Sequence, residues 1–200
     1  SRRQIAKQRA NRPARIIGKD DRLLAHPDAH RGRPRAERRD NGAVAASRAL
    51  ALDANLAEAH AAKGGILAAG GDYAAAEAEI AIAVSLDPES IDVHREAARL
   101  CFHQRRFEEA IGHWERVSAL MEADYASGAL LITCHTALGD MDGVRRVAER
   151  TIARAEKVVT AEPDNGSAMG SMVTCLIALG EIERARQWAR RAMLIDPDNM

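Results

Sequence analysis

The chain breaks a strong helix former at regular places. In "AAGGDYAAAEAEIAIAVSLDPES", residues 68–90, alanine favours one long helix, yet Gly70-Gly71 and Asp87-Pro88 interrupt it. The punctuation recurs. "LGD" at 138–140 and "LGE" at 179–181 match "GGD" at 70–72, while "TAEPDN" at 160–165 and "LIDPDN" at 194–199 match "SLDPES" at 85–90. From Ala57 to Ile91 to Tyr125 the register advances 34 residues each time. A period of that length marks stacked supersecondary units. The units are 57–90, 91–124, 125–165 and 166–199, each reading as helix, tight turn, helix, tight turn.

The columns of this alignment have physical reasons. Gly71, Gly139 and Gly180 end first helices, where a left-handed residue is needed and glycine has no steric penalty; Arg105 takes that place in the second unit. Asp72, Asp140 and Glu181 follow, near a helix N-terminus that favours negative charge. Pro88, Pro163 and Pro197 stop or restart helices at the unit boundaries. Small residues recur where two helices must approach: Gly64 and Ala98; Ala76, Ala110 and Ala185; Ala83 and Ala192. Tyr73, Phe107, Met141 and Ile182 are expected to plug the space beside each turn, and Trp114 to lie in the core.

This pattern resembles the tetratricopeptide repeat family, whose units are 34-residue helix pairs with small residues, an aromatic plug and a terminal proline. The resemblance covers about 57–199 and implies an all-α, right-handed helical-hairpin solenoid of eight helices. Residues 43–56 are expected to form a degenerate half-repeat, with a helix over 43–53, and "ASRALALDANLAEAH" at 46–60 carries that likeness. Ile132 and Val173 replace a small residue and Glu122 replaces proline, which puts local packing angles in question. The third unit carries seven extra residues. Seven is close to two helical turns, so the apolar face keeps its phase, and the segment from about Asp142 to Thr160 should be the longest helix, with Val147, Ile152, Val158 and Val159 facing inward or along a ledge. More loosely, this layout resembles repeat segments that accompany bacterial nucleotide-cyclase or kinase-type signalling proteins.

Charge separates two regions. Residues 1–40 hold 13 Lys+Arg and 5 Asp+Glu, a surplus of eight positive charges, and the remainder carries an equal negative surplus. The segment 1–42 reads as a basic linker or disordered arm: "RGRPRAERRDNG" at 31–42 is punctuated by proline and glycine and has no aromatic residue to stack on bases. Nucleic-acid binding through it is the alternative to a solvated linker. No apolar run reaches a membrane span, and no secretory signal opens the chain. Cys101, Cys134 and Cys175 are odd in number and far apart, which fits a reducing cytoplasm and buried structural thiols. Starting at Ser1 and stopping at Met200, the sequence reads as a piece of a longer protein.

No catalytic, cofactor or metal constellation emerges. There is no GxSxG elbow and no GxxxxGK[ST] loop; "GKDDR" at 18–22 is a fragment of the latter. His60 and His94 share a column where large, partly buried residues are usual in the resembled family. His103 and His113 lie on different helices without an acid or cysteine at ligand spacing, and Pro27 separates His26 from His30. The reading is therefore a non-catalytic protein or peptide binding module. In the resembled family the first helices line a concave groove, and here Arg95, Arg99, Phe102 and His103 form a row on one of them. Such a row would select acidic partners, unless Asp92 and Glu96 neutralise it as pairs along the helix. Ala61 and Gly65 stand where some family members place a carboxylate clamp, so that clamp is not supported. At the far end no polar cap follows, so Met172 and Leu176 are expected to be exposed and to drive weak self-association.

Overall fold

The computed structural model describes residues 35–195. The chain divides after Asn41 into two units, residues 1–41 and 42–200. Of the first, residues 35–41 are helical, and the rest of the expected basic arm lies outside the described residues. They belong to α1 (Arg35–Leu52). The helix expected at 43–53 thus begins at Arg35, and the segment read as linker is helix from there on. Pro34 directly precedes that start, and proline is well tolerated where a helix begins because its missing N–H has no intrahelical partner to lose. Gly42, read as a breaker, sits inside α1 against α2, where an added Cβ would come 3.3 Å from Ile66 Cδ1.

Eight further helices follow as four hairpins. They are α2 (Ala57–Ala69) with α3 (Tyr73–Leu86), α4 (Ile91–His103) with α5 (Phe107–Leu120), α6 (Gly128–Ala137) with α7 (Met141–Ala161), and α8 (Gly166–Ala178) with α9 (Ile182–Ile195). No strand occurs among the described residues. Each hairpin packs on the next in chain order. The second helix of one touches the first helix of the next, α2 also touches α4, and α6 touches α8. The fold is an all-α solenoid of helical hairpins.

The turns form as the columns require. Gly71, Gly139, Gly180 and also Arg105 have positive φ, 89°, 74°, 77° and 62°. In the first turn, the N–H of Asp72 then reaches back to the Leu67 carbonyl at 3.0 Å, closing the helix end. Asp72 and Asp140 cap the next helices, accepting from the N–H of Ala75 at 3.2 Å and of Gly143 at 2.8 Å. Arg106 replaces a capping residue in the second hairpin and makes no cap; its guanidinium binds Glu109 and Glu77 instead.

The core is graded along the stack. Around the first hairpin it is built mainly from alanine, with Ile80 and Val93, and Gly64 lets the helices close: a Cβ there would sit 2.8 Å from Ile80 Cγ1. Further on it fills with larger groups: Trp114, Leu131, Ile132, Val144, Val147, Ile152 and Leu176. Two expectations fail. Of the four residues read as turn plugs, Phe107 packs against the core, whereas Tyr73, Ile182 and Met141 stand exposed, Met141 by 60%. Each of the four is the first residue of its second helix, and only Phe107 is covered there. Met172 and Leu176 are fully buried, because α7 and α9 both close over α8. The apolar groups left open at that end are Ile177, Met193, Leu194 and Ile195.

The seven extra residues are helical. At 21 residues α7 is the longest described helix, and Ile152, Ala155 and Val159 extend its buried face. Val158 is half-buried in a recess of about 300 Å³ beside Ala123 and Ala161, rimmed by Glu122, Arg154, Lys157 and Glu162.

Candidate functional site

The four residues singled out by sequence lie on α4 or its last turn, and the structure divides them. Arg95 is half-buried; its Nη1 lies 3.5 Å from Asp92 Oδ1 and its Nη2 3.9 Å from the sulfur of Met121. Arg99 is exposed and donates from Nη1 to Glu96 Oε1 at 2.5 Å. Both guanidiniums therefore meet a carboxylate three residues earlier on their own helix. Surface pairs of that kind along a helix contribute only about 0.2–0.5 kcal/mol. Phe102 is less free than its position on the row suggests, being half-buried with its ring 5.9 Å from that of Phe107. His103 is exposed, its ring edge-on to Phe102 at 6.3 Å.

Glu96 reaches across to the preceding hairpin. Its side chain lies over Gly65 of the preceding hairpin, where an added Cβ would meet Oε2 at 2.5 Å. The place is filled by a carboxylate of the chain itself, which Arg99 holds. On the other first helices Ala62 of α2, Thr133 of α6 and Thr174 of α8 are exposed.

Sequence reading missed a second set of groups. His60 Nδ1 lies 2.7 Å from Glu79 Oε2, and its Nε2 is 3.0 Å from the Ala54 carbonyl. One repeat later, His94 Nδ1 lies 3.0 Å from His113 Nδ1, and its Nε2 is 2.9 Å from the Pro88 carbonyl. Each histidine ties the first helix of its hairpin to the second helix and to the turn before it. The signal was present: 60 and 79, and 94 and 113, are 19 apart and one 34-residue register apart. Glu79, held also by Lys63 Nζ at 2.6 Å, raises the His60 pKa through its hydrogen bond. Burial, and then the neighbouring His94, lower that of His113.

Other titratable groups are structural. Cys101, Cys134 and Cys175 are buried on first helices, and burial pushes the thiols of Cys134 and Cys175 up to about 11. His135 Nδ1 lies 2.9 Å from Asp140 Oδ2 at a turn. Among the described residues no group of three His, Cys, Asp or Glu is arranged to hold a metal ion, and no helix is long and apolar enough to cross a membrane.

Residues 148–199 match the tetratricopeptide repeat family. No curated protein matches the chain in sequence. Solved structures share its fold. That of MamA is 17% identical with a TM-score of 0.56, over 92% of this chain and 97% of that one. That of pilF from Pseudomonas aeruginosa is 19% identical with a TM-score of 0.60, over 82% and 72%. That of YrrB, described as a TPR protein with an unusual peptide-binding site, is 18% identical with a TM-score of 0.53, over 82% and 81%.

Proposed function

We propose that this solenoid of helical hairpins works as tetratricopeptide repeat modules do, its first helices binding a protein or peptide segment without catalysing a reaction on it. The observation that carries this reading is the pairing of Arg95 and Arg99 with carboxylates of their own helix alone. Those pairs leave guanidiniums that an incoming carboxylate or phosphate can take over in a two-pronged contact. The partner segment is therefore acidic where it crosses α4. YrrB, with its peptide-binding site, lends support through likeness of fold. In this reading the chain is a regulatory or scaffolding segment of a larger bacterial signalling protein of the cytoplasm. Weak self-association falls to the open end formed by Ile177, Met193, Leu194 and Ile195 rather than to Met172 and Leu176.

An array of acidic, neutral and basic peptides tests the reading. Acidic peptides should be retained, and replacing Arg95 and Arg99 together by alanine should weaken their binding at least several-fold and flatten its salt dependence. Equal affinity of the double variant, with helicity intact, would reduce the arginines to surface charge. A second reading, association with nucleic acid, rests on the positive surplus of residues 1–40. It requires polyanion binding that disappears when 1–42 is removed.

A further inference from the structure

The first two hairpins hold the same joint with opposite proton requirements. A carbonyl oxygen only accepts, so the bond from His94 Nε2 to Pro88 O at 2.9 Å requires the proton on Nε2. A neutral His94 then has a bare Nδ1, which accepts from the Nδ1–H of His113 across 3.0 Å. The facing nitrogens hold one proton between them. A proton on His113 Nε2 leaves this bond intact, but protons on both Nδ1 atoms at once set two N–H groups against each other. His60 is the reverse case. Both of its partners, the Ala54 carbonyl and the Glu79 carboxylate, only accept, so both ring nitrogens must carry protons for both bonds to form.

We propose that the α4–α5 hairpin is a pH-responsive joint of the solenoid, which opens when acid places a proton on both facing nitrogens of His94 and His113, while the equivalent His60–Glu79 joint of the α2–α3 hairpin closes.

The surroundings leave this contrast uncancelled. Glu109 on α5 favours, and Arg106 just before it opposes, a charge on His113. Glu109 is already bound by Arg106. The turn before α4 contributes Glu89, which Arg116 holds at 3.3 Å. The carboxylates of α3 are engaged elsewhere, Glu77 with Arg106 at 2.6 Å and Glu79 with His60 and with Lys63 of α2. On α6, His135 faces Asp140. Among the described residues no carboxylate is paired with His94 or His113, whereas His60 has one at 2.7 Å. The unfolded chain protonates both members of the His94–His113 pair near pH 6.5, and the closed joint holds at most one of those protons. Each withheld proton shifts the opening equilibrium by about tenfold per pH unit below that point. Arg95 and Arg99 ride on α4, so on the binding reading above acid would also loosen the face that presents them; the joint itself stands without that reading.

The test is amide hydrogen exchange of the full chain between pH 5 and 7.5, corrected for intrinsic rates, with imidazole nitrogen shifts recorded alongside. On acidification α4 and α5 should lose protection relative to α2 and α3, by about tenfold per pH unit, with only one of the two facing nitrogens protonated while the joint is closed. His113→Glu copies the first joint and should reverse the sign, so that acid then protects α4 and α5. His113→Gln, which accepts no proton, should shrink the pH dependence of that hairpin and serves if the glutamate variant does not fold. Equal protection of both hairpins across the range, or the two rings titrating independently as free histidines do, would overturn the proposal.

Discussion

Arg154 of α7 grips the end of α5, its Nη2 donating to the Ser118 carbonyl at 3.0 Å and its Nη1 to the Ser118 hydroxyl at 2.7 Å. Nη1 also reaches the Asp124 carbonyl at 3.1 Å, and the Ser118 hydroxyl donates to Asp124 Oδ2 at 3.2 Å. Ser118 and Asp124 are both buried, so truncating the guanidinium strands acceptors away from water. Arg154→Ala should destabilise the chain by about 1–3 kcal/mol in urea unfolding, and Arg154→Lys should recover only part of that because an ammonium lacks the planar fork. A neutral result for the alanine variant would mean that water replaces the grip.

The close approach of α6 and α7 depends on Gly128. A Cβ there would lie 2.4 Å from Thr151 Oγ1 and 2.9 Å from Thr151 Cβ, contacts that force the helices apart. Gly128→Ala should cost about 1–3 kcal/mol despite the better helix propensity of alanine. Adding Thr151→Ala should recover part of the loss, a coupling that a double-mutant cycle reads directly.

The hairpin turns separate backbone strain from packing. Nothing lies within 4 Å of the position a Cβ would take at Gly139, so Gly139→Ala is opposed by its φ of 74° alone. Its expected cost is about 1 kcal/mol. Arg105 already bears that strain at φ 62°, partly offset by its guanidinium lying 5.9 Å from the Phe107 ring centroid. Arg105→Gly should therefore leave stability level or raise it, the opposite direction from Gly139→Ala.

The first joint gives a pH dependence of known sign. Because the folded-state pKa of His60 is raised, its contribution is complete below the unfolded value of about 6.5 and is lost as pH rises through the folded value. Thermal melts of the parent and of Glu79→Gln should differ most below pH 6.5 and converge toward pH 8. A constant difference over that range would show that Glu79 acts through Lys63 alone.

The cysteines should be silent until the chain opens. With Cys134 and Cys175 buried and their thiols raised to about 11, a thiol reagent at pH 7.5 should label neither in the native protein and all three cysteines in denaturant. Rapid native labelling of Cys134 or Cys175 would mean that a first helix detaches readily.

The repeat was legible because its turns leave unavoidable traces: a positive φ asks for glycine, and a capped helix start asks for Asp72 or Asp140. The buried face of α7 was legible as well, since Ile152 and Val159 keep the helical phase. The start of α1 was not, because Gly42 reads as a breaker until Ile66 is seen against it. The burial of Met172 and Leu176 was hidden for a related reason. Which stripe of α8 lies between α7 and α9 depends on how the hairpins rotate against one another, and no residue type records that angle. At the candidate site, the row on α4 was visible, but its in-helix pairing was settled only by rotamers. The histidine joints went unseen because they cross between helices, and only two columns read together reveal them.

The lengthened α7 implies that such a chain grows in discrete steps. Seven added residues turn a helix through about 700°, within roughly 20° of two full revolutions, so Val159 stays on the buried face that carries Val147 and Ile152, where it packs with Met169 and Met172. Five added residues would leave the new stripe rotated by about 140°, and nine by about 180°, aiming valines at water and arginines at the core. Length here behaves like gear teeth: an insertion engages its neighbours only at near-whole-turn counts, and any other count must be expelled as a loop.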